Sequence, residues 1–101
     1  MNKEKDFPES IVNLIKALSS RPRRHILISL MKYGRLSYSE IRKQTRLDEG
    51  TLSYNLKKLL ECNLVKSFPQ SENSSIYTSY FELSEFGRRF IEGLLNVFAS
   101  F

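Results

Sequence analysis

Residues 49–62, EGTLSYNLKKLLEC, place hydroxyl, phenol and ammonium groups at helical spacing. At about 100° per residue, Leu52 and Leu56 mark one face of a helix. The opposite face carries Gly50, Tyr54, Lys57, Lys58 and Glu61, with Thr51 and Ser53 at its edges. Hydroxyl groups can bond to the edges of bases, and lysines neutralise phosphates. This set favours binding in a groove edged by phosphates; the alternative is a helix face that meets only solvent.

The chain has no residue pattern typical of an enzyme or a metal site. It contains one histidine, His25, and one cysteine, Cys62, and its four glycines form no phosphate-binding loop. A transition-metal site ordinarily needs three or four soft or imidazole ligands, so one chain could not supply it alone. We interpret Cys62 as a small apolar residue and His25 as a surface residue. No catalytic residue, metal or cofactor is therefore expected.

Charge is unevenly distributed along the 101 residues, whose formal net charge is +5. Residues 11–35 contain six basic and no acidic residues, and residues 36–66 contain six basic and four acidic ones. The basic region thus lies in and just before the helix described above, as expected for a partner that is a polyanion. No apolar run approaches ~18 residues, and no secretory signal is visible. With a single cysteine, this predicts a cytoplasmic protein without membrane contact.

Two helices with a short break must position the polar face. Ile41 and Thr45 lie four apart in the first helix, and Leu47 follows where the chain must turn. Asp48 can cap the second helix, residues 49–62, whose apolar stripe contains Leu52, Leu56, Leu59 and Leu60. Residues 39–62 therefore predict a helix-turn-helix.

Two further helices are predicted before this unit. One runs from Pro8 to about Leu18 after a mobile start over residues 1–7, and the next runs from about residue 21 to Tyr33 before Gly34. Basic residues crowd the first turn of the second of these helices, against the preference of the helix dipole. Either Arg21, Arg23 and Arg24 meet phosphates, or they are simply exposed.

After Asn63 the pattern becomes alternating, which predicts strands at residues 64–68 and 76–83. These strands and the polar loop at 69–75 form a wing over residues 64–83. Residues 67–83 contain no lysine or arginine, so the wing would contribute little charge neutralisation. Its candidates for DNA contact are Gln70, Asn73, Ser74 and Ser75. A last helix is predicted over residues 84–99, capped by Ser84.

The predicted architecture is a single domain, residues 1–101, that is mainly α with a small β-hairpin. Its order is α-α-α-α-β-β-α, with a minimal strand near Ser37 as a further option. Three segments resemble winged helix-turn-helix transcriptional regulators of the ArsR and MarR type. They are LIKALSSRPRRHILISLMKYG, YSEIRKQTRLDEGTLSYNLKKLLECNLVKS and YFELSEFGRRFIEGLL, and together they cover about residues 14–95.

The resemblance implies a sequence-specific regulator that binds double-stranded DNA, with the helix 49–62 in the major groove. The residues that it places near base edges are Glu49, Gly50, Thr51, Ser53, Tyr54 and Asn55. It places Arg42, Lys43, Arg46, Lys57 and Lys58 near phosphates. Asn55 fits this role less well, because the face calculation puts it toward the packed side.

The resemblance also implies a homodimer formed through the terminal helices. Candidate interface residues are Ile11, Leu14, Ile15, Leu18, Phe90, Leu94, Val97, Phe98 and Phe101, of which about half would complete the core of one chain. Two other functions remain open: a protein-interaction module that uses Tyr77, Tyr80 and Phe81 of the wing, or a non-specific architectural DNA-binding protein. No residue pattern indicates a small-molecule effector, although a ligand between two subunits would be compatible with this fold.

Overall fold

The computed structural model describes residues 8–99, so the expectations for residues 1–7 and for Phe101 lie outside the described residues, as does the side chain of Phe98. In this range the chain forms five α-helices, one 3₁₀ helix and three short strands. They are α1 (Glu9–Ser19), α2 (Arg21–Tyr33), β1 (Leu36–Ser37), α3 (Tyr38–Thr45), α4 (Glu49–Glu61), β2 (Val65–Phe68), the 3₁₀ helix (Ile76–Thr78), β3 (Tyr80–Leu83) and α5 (Glu85–Ala99). This mainly α architecture with a small sheet agrees with the prediction.

The ends of α2 follow the predicted local signals. The Ser20 hydroxyl caps α2 by accepting a hydrogen bond from the Arg23 amide at 3.4 Å. Pro22 lies in the first turn, where its missing N–H costs no intrahelical bond. Gly34 then adopts a φ of 79° and donates its N–H to the Leu30 carbonyl, which ends the helix.

The helix-turn-helix consists of α3 and α4. Ser37 and Glu40 form a capping box at the start of α3, with hydrogen bonds in both directions. Arg46 ends α3 in the left-handed conformation, and Asp48 caps α4 through the Thr51 amide at 2.8 Å. The turn therefore combines one unfavourable backbone conformation with one strong cap.

The sheet differs in detail from the predicted hairpin. β3 lies in the centre and pairs antiparallel with β1 on one side and β2 on the other. The predicted strand at 76–83 is wrong over residues 76–78, which form the 3₁₀ helix. Ser75 caps that helix by accepting a hydrogen bond from the Tyr77 amide, and such local bonds compete with strand pairing.

One hydrophobic core holds these elements together. Its fully buried large side chains are Ile26, Ile41, Leu52, Leu56, Leu59, Leu64 and Phe81, which come from α2, α3, α4, the start of the wing and β3. Each large apolar side chain buried in this way contributes about 1.5–3 kcal/mol relative to an exposed one. The polar face of α4 is held in place because its opposite face lies in this core.

α5 is fastened to the segment that follows α4. The Ser84 amide donates to the Leu64 carbonyl at 3.0 Å, and its hydroxyl donates to the Asn63 carbonyl at 2.6 Å. Asn63 has a φ of 61°, the left-handed conformation expected at this helix end. Gly87 is buried against the Leu64 carbonyl, where an added methyl group would collide with backbone. Among residues 8–99, no helix has the length and hydropathy of a membrane span.

Candidate DNA-binding surface

The outer side of α4 is the polar face predicted from the sequence. Gly50, Tyr54, Lys57 and Glu61 are exposed, and Thr51, Ser53 and Lys58 at its edges are half-buried. Tyr54 exposes 56% of its surface, and the Lys58 ammonium lies 5.5 Å from the centre of its ring. Lys58 also pairs with Glu61 at 3.6 Å. The carboxylate therefore faces an ammonium group near the end of the helix, while the first two turns present hydroxyls and a phenol.

The first turn of α4 has a defined hydrogen-bonding pattern. The Thr51 hydroxyl donates to the second Asp48 oxygen at 3.0 Å, beside the amide that bonds to the first. These bonds from the Thr51 amide and hydroxyl lower the pKa of the Asp48 carboxyl below its ordinary value. Because its proton is directed to Asp48, the Thr51 oxygen is left as an acceptor. In a DNA groove such an acceptor suits the amino group of adenine or cytosine.

Asn55 is not available for base contact, and that part of the prediction is wrong. Its side chain is only 6% exposed. Its amide group donates to the Thr51 carbonyl at 2.7 Å, and its oxygen accepts a hydrogen bond from Arg23 Nε at 2.9 Å. Asn55 lies between Leu52 and Leu56 on the packed side of α4, so it joins α4 to α2 instead of facing outward.

Two arginines lie in the first turn of α2, where the helix dipole disfavours positive charge, and form hydrogen bonds with neighbouring helices. Arg23 reaches Asn55 on α4, and Arg24 donates to the Leu18 carbonyl at the end of α1 at 2.8 Å. Both side chains thus satisfy polar groups on neighbouring helices. Arg21 and Arg24 are exposed, whereas Arg23 is half-buried. Arg21 and Arg24 therefore remain accessible to an anion, while Arg23 joins two helices.

The last turn of α3, the turn that follows it and α4 itself carry further positive charge. Arg42, Lys43, Arg46 and Lys57 are all exposed. Arg46 has a φ of 59° and donates its amide to the Arg42 carbonyl at 2.8 Å. The sequence identifies these residues as basic, but the left-handed backbone at a non-glycine position becomes visible only in the structure.

Tyr38, which sequence reasoning did not single out, links α3 to the first turn of α4. The side chain is 5% exposed, and its hydroxyl donates to the Glu49 carbonyl at 2.9 Å. Its ring lies 5.0 Å from that of Tyr77, centre to centre, in an edge-to-face arrangement. Burial raises the pKa of the Tyr38 hydroxyl, with a smaller contribution from Glu49, so the group stays a donor at neutral pH.

The wing offers a ligand one basic residue, Lys66, which is exposed on β2. Glu82 pairs with Arg35 at 3.3 Å, and the Arg35 guanidinium lies 3.6 Å from the centre of the Phe68 ring. Among the predicted wing contacts, Gln70 and Asn73 are exposed. The Ser74 hydroxyl accepts from the Ser71 amide at 2.8 Å, and the Ser75 hydroxyl accepts from Tyr77. These two serines thus have a structural role in the loop.

The wing aromatics do not form the exposed surface that a protein-interaction module would use. Phe81 is fully buried and Tyr80 is half-buried, whereas Tyr77 is 50% exposed although its ring also contacts Tyr38. The predicted protein-binding surface is therefore wrong for Phe81 and weakened for the other two residues. No group of three potential metal ligands is present among residues 8–99. His25 is exposed, and Cys62 is half-buried at the end of α4.

The terminal helices leave apolar side chains uncovered in a single chain. Exposed fractions lie between 40% and 58% for Ile11, Ile15, Phe86, Leu95 and Val97. Leu14, Leu18 and Phe90 instead pack partly on the core, and Leu94 is half-buried. An open apolar groove between α2 and α5 is lined in part by Ile28 and Leu95. Neither residue was in the predicted interface.

Comparisons with known proteins agree with this geometry. Residues 20–67 match the family model described as bacterial regulatory protein, arsR family. HlyU from Vibrio cholerae is 27% identical, with a TM-score of 0.70 over 98% of this chain and 99% of that chain. The transcriptional repressor BigR from Xylella fastidiosa is 24% identical, with a TM-score of 0.68 over 89% of this chain and 87% of that chain.

A solution structure from Mycobacterium bovis has the same fold. It is described as a homodimeric winged helix-turn-helix DNA-binding domain of a possible ArsR-family transcriptional regulator. Identity is 24% and the TM-score is 0.73, over 99% of this chain and 87% of that chain. A comparison with curated proteins gave no match. Together the likenesses confirm the predicted winged helix-turn-helix fold.

Proposed function

We propose that this chain is a winged helix-turn-helix transcriptional regulator of the ArsR type, whose family model matches residues 20–67, and that it binds specific double-stranded DNA sites as a homodimer, with α4 in the major groove. The ArsR family is one of the two that the sequence resembles. We assign no catalytic role to any residue. A DNA partner and a single cysteine together favour action in the reducing cytoplasm.

The observation that carries the proposal is the composition of the outer face of α4. The major groove is about 12 Å wide and admits one α-helix. Thr51, Ser53 and Tyr54 provide hydrogen-bonding groups on two turns of α4, and the half-buried or exposed lysines follow one turn later. We assign base contacts to Glu49, Gly50, Thr51, Ser53 and Tyr54, without Asn55. Only a helix whose other face is buried can present such a set rigidly.

Phosphate contacts are assigned to the exposed cations around α4. They are Arg21, Arg24, Arg42, Lys43, Arg46, Lys57 and the half-buried Lys58. Contacts of this kind fix the register of the protein on the duplex and make binding sensitive to salt, but they carry no sequence information. Gln70 and Asn73 on the wing would add neutral contacts at most.

The homodimer is proposed from the exposed apolar side chains of α1 and α5. Ile11 and Ile15 on α1, with Phe86 and Leu95 on α5, are too apolar to face water as a group. The related domain from Mycobacterium bovis is described as homodimeric. A two-fold dimer presents two copies of α4, so the operator should contain symmetric half-sites about one DNA turn apart.

The test is selection of bound sequences from random double-stranded DNA by the pure protein at two salt concentrations. We expect a two-fold symmetric consensus whose affinity falls steeply with salt. Salt-sensitive binding without a consensus would instead indicate an architectural DNA-binding protein. A lack of binding at both concentrations would reject the DNA-binding function.

A matched pair of variants then tests the assigned face. Lys57→Gln removes an exposed charge from α4, and Arg89→Gln removes an exposed charge from α5. Both variants lower the net charge equally. We expect Lys57→Gln to reduce the slope of log affinity against log salt by about 1, whereas Arg89→Gln should leave the slope unchanged. Equal slopes for the two variants would show that overall charge, rather than α4, determines binding.

A further inference from the structure

We propose that the wing acts on DNA recognition from within the protein, through contacts of Tyr77 with Tyr38 and of Tyr38 with Glu49 that fix the start of α4. Tyr38 is then a positioning residue for base recognition. This inference rests on the proposed function, because it concerns how the same DNA-binding helix is held. It assigns a role to a wing whose sequence offers little to a phosphate backbone.

The first step is the hydrogen bond across the helix-turn-helix. Tyr38 is the first residue of α3, and Glu49 is the first residue of α4. The buried Tyr38 hydroxyl donates to the Glu49 carbonyl at 2.9 Å, so the two helices are connected at the end of α4 that carries Gly50 and Thr51. The Asp48 cap at the same end accepts its hydrogen bonds from Thr51 of α4 itself, so these bonds do not connect α4 to α3.

The second step is the contact between Tyr38 and the wing. The Tyr77 ring meets the Tyr38 ring edge-to-face, which favours one relative orientation of the two rings. Tyr77 is itself held, because Ser75 and Thr78 form a capping box around the 3₁₀ helix and Ser79 Oγ donates to the Ser75 carbonyl at 2.8 Å. A displacement of the 3₁₀ helix would therefore move the ring on which Tyr38 packs.

The third step concerns charge. Residues 67–83 contain no lysine or arginine, and one of their two acidic residues, Glu82, pairs with Arg35. The other, Glu72, is exposed in the loop and would be repelled by phosphates. Apart from Lys66 on β2, the wing thus gains little from direct contact with the DNA backbone. The wing instead acts on α4 through its 3₁₀ helix, because Tyr77 contacts Tyr38 and Tyr38 bonds to Glu49.

The experiment compares the wild type with Tyr38→Phe and Tyr77→Ala, using the symmetric consensus obtained by selection and a scrambled duplex of equal length. Tyr38→Phe keeps the ring and removes only the hydroxyl. We expect it to weaken consensus binding about 2- to 10-fold, the range for one lost hydrogen bond, while binding to the scrambled duplex stays unchanged. The ratio of the two affinities therefore falls, which a purely structural role of the folded protein would not cause.

Tyr77→Ala should reduce the same ratio. In the double variant the two effects should not add, because both substitutions interrupt one chain of contacts. Tyr33→Phe and Tyr33→Ala make the same chemical changes at an exposed tyrosine of α2 outside this chain of contacts, so they serve as matched controls and should preserve the ratio. All affinities are measured well below the melting temperature of each variant, with the salt slope determined in parallel.

The outcomes separate the two proposals. If the wild type selects a consensus and Tyr38→Phe discriminates as well as the wild type, the positioning role is overturned and the DNA-binding function stands. Additive effects of Tyr38→Phe and Tyr77→Ala, or a loss of discrimination in the Tyr33 controls, would also overturn it. If the wild type selects no consensus, the proposed function fails, and this inference fails with it.

Discussion

At the scale of single residues, Arg46 combines two properties that can be separated by substitution. Its backbone is left-handed, with a φ of 59°, and its side chain is exposed next to α4. A left-handed conformation costs an L-residue about 1–2 kcal/mol, whereas glycine adopts it readily. The presence of arginine at this position is therefore unfavourable for the fold, and a contact with phosphate would give it a purpose.

We predict that Arg46→Gly and Arg46→Val weaken DNA binding equally but that only Arg46→Val destabilises the protein. Glycine relieves the backbone, so the variant should be as stable as the wild type or slightly more stable. Valine, which is β-branched, should lower the free energy of unfolding by about 1 kcal/mol. Urea denaturation measures the stability, and the salt slope of operator binding measures the lost charge. Unchanged affinity in the glycine variant would remove Arg46 from the DNA contacts.

Asp48 makes the start of α4 sensitive to acid. Hydrogen bonds from Thr51 hold its pKa below the ordinary value near 4, so the folded state binds the proton less readily than the unfolded state. The resulting stabilisation is complete above the ordinary pKa and is lost as the pH falls through the lowered one. We predict that the stability difference between wild type and Asp48→Ser shrinks below about pH 4. Thermal melting between pH 7 and pH 2.5 measures this, and a constant difference would contradict it.

Single-residue roles were predictable where they depend on helix period and unpredictable where they depend on a partner from another element. The exposure of Gly50, Tyr54 and Lys57 follows from their angle to Leu52. The hydrogen bond between Asn55 and Arg23 does not, because it joins residues 32 positions apart on two helices. Tyr38 was missed for the same reason, since its hydroxyl meets a carbonyl beyond the turn.

At the scale of elements, the helices follow their local signals closely, and the sheet does so less. Ser20, Ser37 and Asp48 cap α2, α3 and α4 by accepting from backbone amides three residues ahead, and of these Asp48 was identified from the sequence. Residues 76–78 are β-branched or aromatic, so the sequence predicts a strand there. Instead, the hydroxyl groups of Ser75 and Thr78 form local hydrogen bonds that favour a 3₁₀ helix. β1 has two residues and is defined only by its pairing with β3, which no local pattern specifies.

The joint between α5 and the end of α4 leads to a prediction about two glycines of the same helix. Gly87 lies against the Leu64 backbone with no room for a side chain, whereas a side chain at Gly93 would meet nothing within 4 Å. Gly87→Ala should therefore lower the free energy of unfolding by about 1–3 kcal/mol. Gly93→Ala should raise it by up to about 1 kcal/mol, because alanine favours helix.

Urea denaturation of both variants at one protein concentration measures these changes. Because both variants replace a glycine of α5 by alanine, the comparison controls for the gain in helix propensity. If Gly87→Ala were as stable as Gly93→Ala, the close approach of α5 to Leu64 would be wrong.

At the scale of the whole molecule, the apolar residues of α1 and α5 determine the oligomeric state that we propose. Ile15 and Leu95 are each more than half exposed, at 52% and 58%. In a dimer, covering such side chains stabilises association by about 25 cal/mol for each Å² of apolar surface removed from water. The same contacts would set the distance between the two copies of α4.

We predict that the double variant Ile15→Gln and Leu95→Gln is monomeric at concentrations at which the wild type is a dimer. Neither change alters the net charge, so effects on DNA binding would come from assembly alone. Tyr33→Gln, which alters an exposed apolar residue on α2, is the control and should stay dimeric. Sedimentation velocity measures the state of each protein. A wild type that sediments as a monomer at micromolar concentration would refute the dimer and, with it, the symmetric operator.

The pairing of β1 with β3 affects how the protein forms during its synthesis. Leu36 and Ser37 lie directly before α3, but their partners Phe81 and Tyr80 are made only after the entire helix-turn-helix. While the chain is still on the ribosome, α3 and α4 can form, yet the strand that leads into α3 has no partner. An interrupted chain would thus contain every base-contacting residue and still lack the sheet that fixes them. Because the proposed dimer also needs α5, we expect operator binding to begin only after α5 has followed β3 from the ribosome, so that incomplete copies do not occupy the site.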